Sequence, residues 1–233
     1  MRAAETGRSL RELAVRVALL LMGLGIAHLG VTLFLQTNLG SDPFNVFIQG
    51  LYRALPWPDW AAMTHGRVHL LVSLLILVGL LAIDRSYVGI GTVLCMALGG
   101  PIIDLDTLWL APFVHPGLPL AMRLVLLVAG CLILAFGMTV VIRSQAGTAP
   151  DDLVAVVISD KSGKPFGPVR VCVDCAFAGI GFLLGGIIGV GTVVCACLVG
   201  PAAQRFFPVS QRLCEAALRQ FAGVCAPKNE VKV

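Results

Sequence analysis

Gly89 to Pro101 reads GIGTVLCMALGGP, and Gly189 to Pro201 reads GVGTVVCACLVGP. Eight of the thirteen positions are identical: Gly89/Gly189, Gly91/Gly191, Thr92/Thr192, Val93/Val193, Cys95/Cys195, Leu98/Leu198, Gly100/Gly200 and Pro101/Pro201. An apolar background rich in Gly, Val and Leu gives about two or three matches by chance. Upstream, Gly40-Ser41-Asp42-Pro43-Phe44-Asn45 is echoed by Gly147-Thr148-Ala149-Pro150-Asp151-Asp152. One folding unit is therefore written twice, and the architecture follows from that before any chemistry is considered.

The solvent of this fold is lipid. Of the 233 residues, 58% are hydrophobic and 13% charged, with a mean hydropathy of +0.91. A soluble domain carries about twice that charge. Apolar runs cover Val15 to Leu35, Val68 to Ile83, Val88 to Leu110, Leu120 to Ile142 and Val171 to Phe207. The last is too long for one crossing and breaks at Gly185-Gly186, so the count is six transmembrane helices. The first run is too long for a signal peptide and lacks a small-x-small cleavage pattern, so it is expected to be retained.

Orientation follows the placement of Lys and Arg. With the N-terminus in the cytoplasm, the inner segments hold Arg2, Arg8, Arg11, Arg85, Arg143, Lys161, Lys164, Arg170, Arg205, Arg212, Arg219, Lys228 and Lys232. The outer ones hold Arg53 and Arg67, with Arg123 near a helix start. The expectation is a multi-pass protein of a bacterial cytoplasmic (inner) membrane with both termini cytoplasmic. The net charge of +4 is this bias, and no nucleic-acid patch accompanies it.

The chain divides into a cytoplasmic N-terminal segment (1–14), repeat one (15–110), repeat two (120–207) and a tail (211–233). Three crossings per repeat is an odd number, so the second copy enters the membrane upside down, as in many secondary transporters. The fold class expected is an all-α membrane protein, six helices as two inverted three-helix repeats. The stretch after each proline, such as Pro43 to Leu55, reaches only about 20 Å as a helix, short of the roughly 30 Å hydrocarbon core. It is expected to be a re-entrant or interfacial half-helix. Were it to span, each copy would cross four times and the repeats would be parallel. The tail from Gln211 to Cys225 has the alternation of a helix lying on the cytoplasmic face.

With both motifs assembled, the chain resembles the YczE/YyaS/YitT family of bacterial multispan membrane proteins, and its shorter YczE-like form in particular. The residues that carry the resemblance are Leu39 to Asn45, the two GxGT helices, and Val169-Arg170 followed by Asp174. Asn45 departs from the family pattern, where Asp is expected. The resemblance implies the fold and little of the mechanism.

In each G-[ST]-x-P motif, Ser41 or Thr148 is placed to cap a helix, with proline in the first turn and Thr148-x-x-Asp151 as a capping box. The plain reading is a helix start. The functional reading is a substrate site where two opposed half-helix N-termini meet near the midplane, framed by Gly40, Ser41, Pro43, Asn45, Gly147, Thr148, Pro150, Asp151 and Asp152, and suited to a polar or anionic ligand. Arg170 and Asp174, four apart at the start of a span, form a gating or coupling pair or a snorkelling interfacial pair. Their counterparts in copy one are His69 and Ser73. Asp104 falls at the outer mouth, where copy two has Gln204. His28 stands alone in mid-span, a proton relay or a satisfied core histidine.

Cys172-x-x-Cys175 and Cys195-x-Cys197 invite a soft-metal reading, but cysteine in an apolar helix is more often a small packing residue. Accordingly no metal ligand set and no cofactor are assigned. No HExxH, GxSxG or P-loop occurs, so an enzyme is not expected. What remains is a secondary transporter or exporter of a small polar or amphipathic molecule. The alternative is a membrane scaffold that stabilises a partner protein. The partners expected are the lipid bilayer and an unidentified small-molecule substrate, with a homodimer left open.

Overall fold

The computed structural model describes residues 9–58, 62–164 and 166–223, and eight helices lie among them. Copy one supplies α1 (Leu10–Thr37), α2 (Pro43–Ala54), α3 (His65–Ile83) and α4 (Ile90–Leu110). Copy two supplies α5 (Leu120–Ser144), α6 (Pro150–Ser162), α7 (Phe166–Leu183) and α8 (Val190–Ala217). No strand occurs among the described residues. Five helices, α1, α3, α4, α5 and α8, are long and apolar enough to cross a bilayer. α7, the sixth span expected, has 18 residues and carries Arg170 and Asp174.

The centre is the crossing of α1 and α5. Gly23 lies against Gly137 and Val141, and Gly30 lies against Gly130 and Leu134, so the two helices run antiparallel. A Cβ at Gly30 would sit 2.6 Å from the Gly130 carbonyl oxygen, so only glycine lets the backbones approach this closely. The contact is symmetric in the repeat: Gly130 and Gly137 stand 107 residues after Gly23 and Gly30.

The same correspondence recurs at the loops. Asn38 (φ 52°) ends α1 and Gln145 (φ 54°) ends α5, both left-handed. Two residues on, Gly40 (φ 117°) and Gly147 (φ 157°) turn the chain into α2 and α6. Each copy then grips the other. Gly91 N donates to the Ala146 carbonyl at 3.1 Å, and Gly191 N donates to the Leu39 carbonyl at 2.8 Å. The GxGT motif thus packs its first turn on the loop that precedes the other copy's half-helix, which explains why Gly91, Gly189 and Gly191 tolerate no side chain.

α2 has 12 residues and α6 has 13, about 18–20 Å each, so neither reaches across the core. α2 packs on α7, with Phe44 and Phe47 on Phe177 and Gly50 on Gly181. α6 packs on α3 through Leu153, Val157 and Leu80. The far end of α2 is tied beyond α7, Arg53 donating to the Gly185 carbonyl and Gln49 accepting from Ile187 N. The far end of α6 is tied beyond α3 by Lys161 to Asp84 and Tyr87 to Asp160.

Two expectations change. Neither Ser41 nor Thr148 is a helix cap. Asp42 caps α2, accepting from Asn45 N, and α6 starts from Ala149 with no side-chain cap, so the Thr148/Asp151 box does not form. Asp42 stands immediately before Pro43, which leaves it in the extended backbone a cap requires. Nor is the tail a separate surface helix. α8 runs on through Pro208 to Ala217 and a further π turn at Leu218–Ala222, burying Cys214 against Leu19 and Val140. Residues 1–8 and 224–233 of the terminal segments lie outside the described residues.

Candidate functional site

Each copy places polar residues where its half-helix begins. In copy two, Arg170 of α7 reaches Asp152 in the first turn of α6 through Nη1 and Asp174, one turn on, through Nε at 3.0 Å. Asp151, half-buried in the same turn of α6, adds a third acidic side chain. The Arg170–Asp174 pair expected from its spacing is formed, and Asp152 joins it from another helix. A guanidinium presents five donors, so one side chain holds two carboxylates at once.

In copy one the equivalent positions are uncharged. Asn45 donates through Nδ2 to Asp42 Oδ2 at 2.9 Å, and its Oδ1 lies 2.9 Å from His65 Nε2. Ser41 is buried and donates to the same Asp42 oxygen. His69 sits edge-on between His28 and Phe44, with ring centroids 5.8 and 5.3 Å away. His69 Nδ1 and Ser73 Oγ are buried with no hydrogen-bond partner among the described residues. Buried polar atoms without partners are costly and rare, and two of them at the counterparts of Arg170 and Asp174 mark the position as one kept for more than packing.

The remaining predicted residues fall in two groups. Gly40, Gly147, Pro43 and Pro150 shape the turns into the half-helices, and Thr148 lies in the second of those turns. Asp104 is half-buried where α4 meets the start of α3. It accepts from Thr64 Oγ1 and from Gly66 N at 3.0 Å, capping α3 from α4. His28, expected to stand alone, donates from Nδ1 to the Leu24 carbonyl at 2.9 Å and faces His69.

Three polar features escaped the sequence reading. Asp42 is the carboxylate nearest the start of α2. Its sequence signal was an acidic residue directly before a helix-opening proline. His65 joins the cluster through Asn45, a contact 20 residues apart that no local pattern announces. Arg16, 2% exposed inside an apolar run, donates from Nε to Glu12 at 2.8 Å and from Nη1 to the Ser144 carbonyl at 3.1 Å.

The half-helix starts therefore hold carboxylates of their own. Asp42 occupies the N-terminus of α2 directly, and Asp151 and Asp152 fill the first turn of α6. Asp42, Asp151, Asp152 and Asp174 thus lie at the half-helix starts and on α7, and Arg170 pairs with two of them, Asp152 and Asp174.

A family model described as "Family of unknown function (DUF6198)" matches residues 14–208. The chain is similar to an uncharacterized protein of Haemophilus influenzae, 28% identical with 84% of this chain and 85% of that protein covered. It is also similar to two Bacillus subtilis proteins. The uncharacterized protein YyaS is 24% identical, with coverage of 82% and 92%. The uncharacterized membrane protein YczE is 27% identical, with coverage of 93% and 97%. No solved structure matches the chain.

Proposed function

We propose a transport function, from the premise that the chain belongs to the DUF6198 family and to the YczE/YyaS-like membrane proteins within its reach. The kinship with YitT proteins, resting on Leu39 to Asn45, the two GxGT helices and Val169-Arg170 with Asp174 together, is part of the proposal. The protein is a six-span carrier of a small polar or amphipathic molecule, with both termini in the cytoplasm of a bacterium and α2 and α6 as re-entrant half-helices. It is not an enzyme on this reading, and its partners are lipid and the substrate, with a homodimer left open.

The observation that carries the reading is the antiparallel, symmetric crossing of α1 and α5. Two copies of one unit related in this way are inverted with respect to a membrane that both helices cross. Their half-helices start at the polar clusters and end at opposite ends of the molecule, α2 beyond α7 and α6 beyond α3. A site between the half-helix starts is then equally distant from both membrane faces. Its charge balance favours a substrate bearing a positive charge, with Arg170 as the internal counter-ion that a cation displaces from Asp152.

A thermal-unfolding screen of purified protein tests this with sodium, monoamines, diamines and quaternary ammonium ions, against carboxylates, phosphate and sugars. Stabilisation follows RT ln(1 + [L]/Kd), about 2.7 kcal/mol at a hundredfold excess over Kd. The expected result is stabilisation by one or more cations, absent in Asp152→Asn. Stabilisation by anions alone, or no ligand at all, refutes the site and favours the scaffold alternative.

A further inference from the structure

The two copies carry the same joint, and only one is closed. In copy one, Gly66 of α3 packs backbone to backbone on Gly100 of α4, and Asp104 fastens the pair through Gly66 N and Thr64. The counterparts in copy two are Gly167 on α7 and Gly200 and Gln204 on α8. Among the described residues, α8 packs on α5 and has no comparable packing on α7. A Cβ at Gly200 would meet nothing within 4 Å, and Gln204 is exposed.

The polar clusters divide in the same way. His69, Asn45 and Ser73 are 7%, 4% and 0% exposed. Their counterparts Arg170, Asp152 and Asp174 have side chains 30%, 22% and 30% exposed. The closed joint covers one cluster, and the open joint leaves the other accessible.

A pseudo-symmetric pair of joints has two mirror arrangements built from equivalent contacts, and helix pairs that meet through glycine dock or part as units. We infer that the protein exchanges with a second conformation, in which α7 docks on α8 through Gly167 and Gly200 while α3 parts from α4. Access then passes from the Arg170 cluster to the His69 cluster. The inference deepens the transport reading and rests on its orientation, in which the described conformation is open to the cytoplasm and closed outside. Asp104, with Gln204 as its counterpart, biases the exchange toward the described state.

Spin labels at Leu71 and Leu105 report the α3/α4 joint, and labels at their counterparts Cys172 and Arg205 report the α7/α8 joint. All four positions are exposed. Distances are measured on the full chain in lipid nanodiscs, with the other cysteines replaced. Wild type is expected to show two distances for each pair, the shorter corresponding to axes about 8–10 Å apart. Gly200→Leu, which fills open space in the described state, removes the short Cys172–Arg205 population and leaves Leu71–Leu105 short. Asp104→Ala does the reverse, enlarging the long Leu71–Leu105 population.

A single distance for each pair, unmoved by both substitutions, overturns the inference. No substrate is required. Exchange of distances without cation binding therefore upholds the inference and sinks the transport reading. A cation that binds and crosses while all distances stay fixed does the opposite.

Discussion

Arg16 and Arg123, 107 residues apart, perform the same task at opposite ends of the α1/α5 crossing. Arg16 donates to the Ser144 carbonyl at the end of α5, and Arg123 donates to the Thr37 carbonyl at the end of α1. Each central helix therefore carries a guanidinium that satisfies the last carbonyls of its partner, where the helix dipole also favours a cation. The repeat is thus a repeat of interactions, extending beyond the glycine motifs that announce it.

The two arginines differ in surroundings, and their removal should differ in cost. Arg16 is fully buried with Glu12 beside it, so Arg16→Ala is expected to cost about 3–5 kcal/mol, the range for breaking a buried pair. Arg123 is only half-buried, and Arg123→Ala should cost about 1 kcal/mol. Chemical denaturation in mild detergent checks the order. Equal costs would show that the buried pair adds nothing.

At the crossing itself, Gly30→Ala places a methyl group on the Gly130 carbonyl and Leu134 N. The expected loss is at least the roughly 1–3 kcal/mol of an overpacked core. Gly25→Ala in α1 and Gly79→Ala in α3, each with open space around it, should be neutral or stabilising by up to about 1 kcal/mol. Thermal unfolding of the three variants separates close packing from general helix propensity.

At the start of α2, Asp42 supplies both a cap and a charge. Asp42→Asn retains the capping oxygen but replaces Oδ2, the acceptor for Ser41 and Asn45, with a donor, so it should lose about 1 kcal/mol. Asp42→Ala, which also removes the cap, should lose more, about 2–3 kcal/mol. If the carboxylate serves a cationic substrate, Asp42→Asn should also weaken ligand stabilisation of the purified protein. Unchanged ligand shifts in Asp42→Asn would confine Asp42 to a structural role.

Arg170 joins α6 to α7 across a partly exposed site. Arg170→Ala leaves Asp152 and Asp174 without their shared donor and should cost about 1–3 kcal/mol, between the values for exposed and buried pairs. Arg170→Lys keeps the charge but holds the two carboxylates less well, so an intermediate loss is expected in the same unfolding assay.

The sequence displayed the repeat, the long apolar helices and the short helices after Pro43 and Pro150, because each rests on local spacing. The Arg170–Asp174 pair was legible for the same reason, being one helical turn apart. Asp152 as its third member was not, since α6 and α7 meet only through tertiary packing. Pro208 gave no sign that α8 would continue past it, because the segment beyond is held by burial of Cys214 against α1 and α5 and not by propensity. The histidine cluster was hidden for a related reason: His28 lies on α1 and His65 and His69 on α3, and His28 meets His69, and Asn45 meets His65, only through tertiary packing.

On the transport reading, a cation crosses the membrane through the site between the half-helices. The most direct test is counterflow into proteoliposomes preloaded with an unlabelled amine from the stabilising set, with the labelled amine added outside. Wild-type protein is predicted to accumulate label above protein-free liposomes, and Asp152→Asn and Arg170→Ala are predicted to remain at the protein-free level. Wild-type protein that accumulates none of the cations that stabilise it would contradict transport, and would leave the site as that of a cation-binding scaffold.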